Sequence, residues 1–359
     1  MTKYLKLSGF EVDVFTQKIP SKYRIKEKED VVNVHRIFSL DPFHLPLPLE
    51  GGRGKRDFVS FPDNKIGFIP FLINNLKKED IYITSAPPVS IHLSGLYLKK
   101  KGYKWIAEFR DPYIDGPIGK YLFRFENELG RKLERIIVEN ADAVVLLSPG
   151  LEKEFKKRYG NRRILTITNG YDEKDFGDLP EKEDKFTLTY LGTLNKTHRP
   201  DMIIEALKIL NEKYKNLREI FSFKVIGYVI DEYLKNLSVL PFFHYEGYLS
   251  RKEAIKIMLK SHLLLLILTD EESRFAIPGK TFNYLRSGIP ILLVSGEGSL
   301  KEFLGDYAIY ANTPLKIAEK IEMMMNNKIK IKKFPNVEEY EWENIGEKYR
   351  RLIMECVKS

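Results

Sequence analysis

The residues best placed to do chemistry lie between Ser261 and Ser295, in SHLLLLILTDEESRFAIPGKTFNYLRSGIPILLVS. Lys280 follows Pro278 and Gly279, where an apolar run gives way to a helix-forming segment. Proline is favoured at a helix start, where its missing N–H would have no partner. The free N–H groups of a first helical turn, joined by a lysine, make a site for an anion such as a phosphate. The alternative for Lys280 is an ordinary surface lysine. The elements that position it can be read outward from it. His262 to Leu268 is a short apolar run, too short to span a bilayer, and predicts a buried parallel strand. Asp270 to Ser273 make an acidic loop. Gly288 and Pro290 end the helix, and IPILLV is the next buried strand. Ligands of open α/β sheets bind outside the carboxyl ends of the strands, where this helix start falls.

Strand–helix units recur along the chain, which predicts an α/β fold with parallel sheets. FEVDVFT is an early strand after a short helical stretch, KYLKLSG. IYITSAPP ends in Ser85, Pro87 and Pro88, before a helix that carries His92. KWIAEF ends in Arg110 and Asp111, and RILTITNGYD ends in Asn169 to Asp172. FTLTYLG ends in Gly192 and Thr193, with Lys196 and Arg199 in the loop that follows. Gly192 lets backbone approach a ligand closely. FSFKVIGY, PFFHYEGYLS and DYAIYAN supply further strands, and VEEYEWENIGEKYRRLIMEC is a closing amphipathic helix. Asp41 to Phe71 is rich in Pro, Gly and aromatics and predicts a long loop. Its GGRGK cluster lacks the preceding strand and the following Ser or Thr of a phosphate-binding P-loop.

A length of 359 residues predicts two domains, and 43% apolar residues are ample for two cores. The single cysteine, Cys356, excludes an internal disulfide and suggests a reducing compartment. The start, MTKYLKLSGFEVDVF, lacks a charged segment followed by an apolar one, so no secretory leader is expected. No apolar run is long enough for a transmembrane helix, and the expected location is the cytoplasm. The net charge of +9 allows nucleotides, anionic lipids or nucleic acid as partners, and a lysine-rich solvated surface explains it as well. No RRM, KH or helix-turn-helix signature is present, so nucleic acid is not expected. The 6 histidines show no metal-ligand spacing, and neither HExxH nor CxxC occurs, so no metal or other cofactor is expected. Basic residues stand beside apolar positions in GKYLFRFENELGRKLER and KKRYGNRR, which suggests peripheral contact with a membrane. Abundant Lys, Glu and Ile, with Gln17 as the one glutamine, match the compositional habit of proteins from hot environments.

IPGKTFNYLRSGIPIL resembles the IPxK-x-x-E-YL-x-x-G-x-PIL segment of nucleotide-sugar glycosyltransferases of the GT-B fold, retaining family 4. TS-x-PP-x-S-x-H, RDP after an apolar strand, AD-x-V-x-x-x-S and NGYD occur in that family in the same order. The resemblance implies two Rossmann-like domains whose parallel sheets face a central cleft. Residues 1–177 would form the acceptor side, without the family's first strand and glycine-rich loop. Residues 178–336 would bind the nucleotide sugar, and 337–359 would be a helix crossing back to the first domain. The implied reaction moves a sugar from a nucleoside-diphosphate sugar to a glycan or lipid-linked acceptor, with retention and without a metal. Cationic side chains and a helix terminus would then offset the leaving-group charge.

The same resemblance implies a donor set of Gly192, Thr193, Lys196, Arg199, Pro278, Gly279, Lys280 and Asn283. Arg199 and Lys280 would meet the departing diphosphate. Asn283 would meet the ribose, where the family has a glutamate. The other family glutamate falls on Phe275, and Thr193 replaces an arginine. Ser85, His92, Arg110, Asp111 and Asn169 would lie on the acceptor side, with Arg110 and Asp111 joining Arg199 and Lys280 as catalytic residues. For Arg110 and Asp111 the alternative is a buried ion pair that holds a loop. For His92 it is a packed histidine. An epimerase of the same fold and a nucleotide-sugar-binding protein without turnover are the other functional readings. The sugar, the base, the acceptor and the oligomeric state are not written in the sequence.

Overall fold

A computed structural model of the protein describes residues 1–18, 32–40, 61–114, 124–160, 162–195, 198, 200–269, 272 and 274–359. They form two compact units, Met1–Thr168 with Glu343–Ser359, and Asn169–Trp342. The passages between them fall at 168/169 and 342/343, so the NGYD segment belongs to the second unit.

In the first unit, α1 (Thr2–Leu7) precedes β1 (Asp13–Gln17), which pairs in parallel with β2 (Asn33–Ile37). Then follow α2 (Ile69–Asn75), β3 (Ile81–Ala86), α3 (Ile91–Lys100), β4 (Lys104–Phe109), α4 (Arg124–Asn140), β5 (Ala143–Leu146), α5 (Pro149–Tyr159) and β6 (Ile164–Thr166). The sheet order is β3-β4-β5-β6, parallel throughout. β5 is buried at every residue and β4 at all but Lys104, as expected for a parallel sheet covered on both faces. The sequence pattern did not point to β2, because Asn33, His35 and Arg36 interrupt its apolar run. The structure also shortens the loop expected to reach Phe71. Ile66–Phe68 form a 3-10 turn and α2 begins at Ile69, so that Phe68, Ile69 and Leu72 pack with Ile37. The GGRGK cluster lies outside the described residues.

The second unit runs β7 (Phe186–Leu191), α6 (Pro200–Lys213), α7 (Leu217–Ile220), β8 (Phe221–Ile226), α8 (Asp231–Ser238), β9 (Phe243–Gly247), α9 (Arg251–Leu259), β10 (Leu263–Ile267), α10 (Gly279–Ser287), β11 (Ile291–Val294), α11 (Ser299–Leu304), β12 (Ile309–Tyr310) and α12 (Pro314–Met325). Its six-stranded sheet has the order β9-β8-β7-β10-β11-β12 and is parallel throughout. The period of two in β10 divides its residues between two cores. Leu263, Leu265 and Ile267 pack with residues of α6 and α12, while Leu264 and Leu266 pack with residues of α9 and α10. The strand order reverses between β7 and β10, and the crevice at such a reversal is where doubly wound sheets bind ligands.

Helix α13 (Trp342–Lys358) returns the chain to the first unit. Val337–Tyr340, expected within that helix, instead form a 3-10 turn before it. The Tyr349 hydroxyl donates to the buried carboxylate of Glu108 on β4. Gly346 lies so close to α1 that a Cβ there would stand 2.8 Å from the Tyr4 Cβ. Among the described residues no helix is long and apolar enough to cross a membrane.

Candidate functional site

The crevice of the second unit is built by three strand ends and one helix start. Gly192 follows β7 with φ +131 and Gly227 follows β8 with φ +130. A Cβ on Gly227 would meet the Gly192 carbonyl oxygen at 2.4 Å, so both positions need glycine. Tyr284 of α10 bridges β7 and β10 beyond their own pairing, which ends at Tyr190 opposite Leu265. Its hydroxyl accepts from the Leu191 amide at 3.0 Å and donates to the Leu265 carbonyl at 3.3 Å. This fixes α10 against the mouth of the crevice.

Pro278 is the N-cap of α10, one position earlier than a first-turn proline, and no side chain caps the helix. The Gly279 and Lys280 N–H groups therefore stay available to a ligand, while the Thr281 amide donates to the Pro278 carbonyl at 3.0 Å. Lys280 is not an ordinary surface lysine. It is half-buried, and its amine donates to the Tyr190 hydroxyl at 3.0 Å and stands 4.1 Å from the centre of that ring. The Tyr190 hydroxyl donates in turn to the Thr193 carbonyl at 2.8 Å. Burial pushes the Lys280 amine down to about 7, with the Glu272 carboxylate pulling the other way. Glu272 accepts from the Thr269 amide at 3.2 Å and hydroxyl at 3.0 Å. His198, half-buried and 2.8 Å from Asn195 Oδ1, has its pKa lowered by burial and by the charge on Lys280.

Of the expected donor residues, Gly192, Thr193, Pro278, Gly279 and Lys280 meet at this crevice. Thr193 is exposed and contributes its backbone carbonyl. Asn283 keeps a buried Oδ1 with no hydrogen-bond partner among the described residues, as does the Thr281 hydroxyl. An unpaired buried acceptor costs about 1–3 kcal/mol, which a ligand donor would recover. Lys196 and Arg199 lie outside the described residues. Phe275 is buried, with the Arg274 guanidinium 4.8 Å from its ring centre. Asn169 departs from its expected acceptor-side place. Its side chain lies about 3.8 Å from where a Cβ on Gly279 would be, beside the start of α10. The sequence reading missed Tyr190 and gave His198 no role. Tyr190 looked like one more apolar strand position, and His198 was set aside for lack of metal-ligand spacing.

The strand ends of the first unit divide the acceptor-side residues. Ser85 donates to one oxygen of Glu108, whose other oxygen accepts from Tyr349, so its hydroxyl belongs to a structural network. His92 is fully buried, which corrects the acceptor-side expectation. Its Nδ1 lies 2.7 Å from Thr84 Oγ1, which accepts from Trp105 Nε1 at 2.7 Å. His92 Nε2 is buried with no hydrogen-bond partner among the described residues, and burial lowers the ring pKa to about 3. Arg110 and Asp111 are both exposed after β4, so they are not the buried ion pair of the alternative reading. The Arg110 amide donates to the Ala86 carbonyl at 2.9 Å and joins the ends of β3 and β4. A cavity of about 270 Å³ opens there, lined by Pro87, Pro88, Phe109, Asp111 and Tyr113 among others.

Residues 1–175 match Glycosyltransferase Family 4, and residues 172–339 match Glycosyl transferases group 1. No curated sequence gave a significant match. Among solved structures, sucrose-phosphate synthase from Thermosynechococcus elongatus is similar with a TM-score of 0.68 at 13% identity, over 99% of this chain and 91% of that one. HepE from Anabaena in complex with UDP has a TM-score of 0.64 at 9% identity, over 90% and 87%. The pneumococcal O-GlcNAc transferase GtfA, in complex with UDP and GlcNAc, has a TM-score of 0.58 at 13% identity, over 83% and 61%. At such identities the likeness defines the fold, which is GT-B. The two family matches together take in residues 1 to 339, and the chain is a GT-B glycosyltransferase resembling family 4.

Proposed function

We propose that the second unit binds a nucleoside-diphosphate sugar at the start of α10, and that the sugar passes to an acceptor held by the first unit. The observation that carries this is the Lys280 amine, held at the uncapped helix start with its pKa lowered to about 7. A diphosphate there accepts from the helix N–H groups and from the lysine, and its charge restores the ammonium. The bond from the anomeric carbon to the diphosphate oxygen breaks, and a bond to an acceptor hydroxyl forms as that hydroxyl loses its proton. Lys280 meets the charge that grows on the departing oxygen, with Arg199 as the second cation. Asn283 Oδ1 accepts from a ribose hydroxyl. Arg110 and Asp111, exposed beside the 270 Å³ cavity, face the acceptor. Retention and a glycan or lipid-linked acceptor remain the reading from family resemblance, and the UDP bound by HepE and GtfA supports the donor class.

Helix α4 supports a lipid-facing surface. Phe125, Leu129 and Ile136 are 58%, 44% and 47% exposed and fall on one face of the helix with Lys132. Apolar side chains interleaved with basic ones suit an anionic interface. Flotation with anionic liposomes at low and high salt tests it, and no binding at low salt ends it.

The test of the main reading is a thermal-shift panel of nucleoside diphosphates and nucleotide sugars, followed by turnover with and without added acceptors. A diphosphate that raises the melting temperature of the protein but not of Lys280→Ala supports the site. Release of an altered sugar without acceptor marks an epimerase, and binding without turnover marks an inert binder.

A further inference from the structure

Each unit has a helix that starts beyond the carboxyl end of a sheet strand, α3 after β3 and α10 after β10, and the two starts are finished differently. No side chain caps α10. The start of α3 is closed by its own chain. The Ser90 amide and hydroxyl each donate to the Asp63 carboxylate at 2.7 Å. The Ile91, His92 and Leu93 amides donate to the carbonyls of Pro88, Val89 and Ser90 at 3.3, 3.0 and 2.9 Å. Asp63 also accepts from the Lys65 amide at 2.9 Å. Its carboxylate thus stands where an anionic ligand of a helix start would stand. Asp63 lines the cavity of about 270 Å³ at the ends of β3 and β4, whose flat apolar walls are Pro87, Pro88, Phe109 and Tyr113. Asp111 adds a second carboxylate, and Lys65 is the one cation of that lining. Asp111 and Lys65 have further interactions within the chain. Burial and the nearby Asp63 charge raise the Tyr113 pKa, so its phenol stays protonated and donates to the Pro62 carbonyl at 3.2 Å. A phosphate placed here would meet two carboxylates, at a helix start whose N–H groups are already taken.

Resting on the acceptor role of the first unit, we propose that this cavity takes an uncharged sugar ring of the acceptor, and that the attacking group is a sugar hydroxyl and not a phosphate oxygen. A pyranose has an apolar C–H face for the proline and aromatic walls and a rim of hydroxyls around it. A carboxylate offers about four acceptor places. The chain uses three of them at Asp63, which leaves one for a hydroxyl of the ring. The cavity lies just under the about 300–1,000 Å³ usual for small-molecule sites, which suits a single ring. The acceptor oxygen gains the anomeric carbon, the diphosphate leaves with the bonding electrons, and the hydroxyl proton balances the charge of the departing diphosphate. An earlier glycosyl transfer must supply this acceptor, because its first sugar is already in place.

The test uses the full chain and probes of known charge: methyl glycosides of glucose, mannose and galactose, their 6-phosphates, and inorganic phosphate. The amide chemical shifts of Ala86, Val89 and Phe109 report occupancy. A neutral glycoside should move these signals, and its phosphorylated form should bind at least about tenfold more weakly, because like charges oppose it. Asp63→Asn removes the charge and keeps an acceptor, so it should reduce that preference by at least about threefold. The ratio in the parent protein decides the matter should Asp63→Asn fail to fold. Equal or tighter binding of the phosphorylated form overturns the proposal, as do inorganic phosphate moving the same signals as strongly and a parent that binds no glycoside here. An unchanged preference in a folded Asp63→Asn overturns the role of that carboxylate. The thermal shift with nucleoside diphosphates is read in parallel. Its absence removes the donor reading of α10, which none of the glycoside titrations can do.

Discussion

The Lys280 amine and the Tyr190 hydroxyl are 3.0 Å apart, and that hydroxyl holds the Thr193 carbonyl at 2.8 Å. One buried phenol thus ties the start of α10 to the loop after β7. Burial sets the protonation of the lysine, with the Glu272 carboxylate opposing it.

Diphosphate binding should therefore draw in a proton. The free amine titrates at about 7 and is largely neutral at pH 8. A bound diphosphate favours the ammonium, so uptake should approach about one proton at pH 8 and vanish near pH 6. Affinity should weaken by up to about tenfold per pH unit above 7, until the pKa of the complex is passed. Calorimetry in two buffers of different ionisation enthalpy measures this. Uptake that does not change with pH would contradict a lysine–phosphate contact.

Lys280→Met should cost binding without costing the fold. The loss should be about 1.5–3 kcal/mol for a nucleoside diphosphate, the range for a hydrogen bond to a charged group. A nucleoside without phosphates should bind both proteins equally. Because the folded-state pKa of about 7 lies below the ordinary lysine value of 10.5, the unfolded chain holds more protons between these limits. The lysine's penalty is full below pH 7 and is relieved as the pH rises towards 10.5. The variant's advantage in urea unfolding should accordingly be greatest near pH 6 and shrink towards pH 10.

Gly227→Ala should destabilise the second unit by roughly 1–3 kcal/mol, from a left-handed φ and from contact with the Gly192 carbonyl. A thermal melt followed by circular dichroism reads it, and an unchanged melt would mean that the β7 and β8 ends can separate freely.

His92 should make the protein sensitive to acid. Its folded pKa of about 3 lies below the ordinary 6.5, so its contribution is full above pH 6.5 and is lost as the pH falls towards 3. The slope from this group is about 1.4 kcal/mol per pH unit within that window. Comparing unfolding free energies of the parent and His92→Phe from about pH 4 to about pH 7 should show a shallower slope in the variant.

Much of this architecture was legible because parallel strands covered on both faces read as unbroken apolar runs, as in LLLLI of β10 and ILLV of β11. Lys280 was legible because Pro278 and Gly288 punctuate its helix, and Gly288 does take the left-handed cap. β2 was hidden by its polar residues. The roles of Ser85 and His92 were not legible, because their partners come from other elements. Glu108, itself held by Tyr349, engages Ser85, and Thr84, Trp105 and Phe109 enclose His92. Asn169 stands at a strand end, yet only folding sets it against Gly279.

The Tyr171 amide donates to the Tyr340 carbonyl at 2.9 Å, and the Trp342 amide donates to the Tyr171 carbonyl at 2.8 Å. The two ends of the second unit are thus clipped together by its own backbone. Topologically that unit is a cassette spliced into its host, since both chain termini belong to the first unit. Residues 169–342 could be excised with their ends already adjacent, closed into a ring, or grafted into a surface loop of a foreign protein. The same cut would leave the first unit as two separate polypeptides, and trimming the chain from its carboxyl end would wound that unit while sparing the cassette.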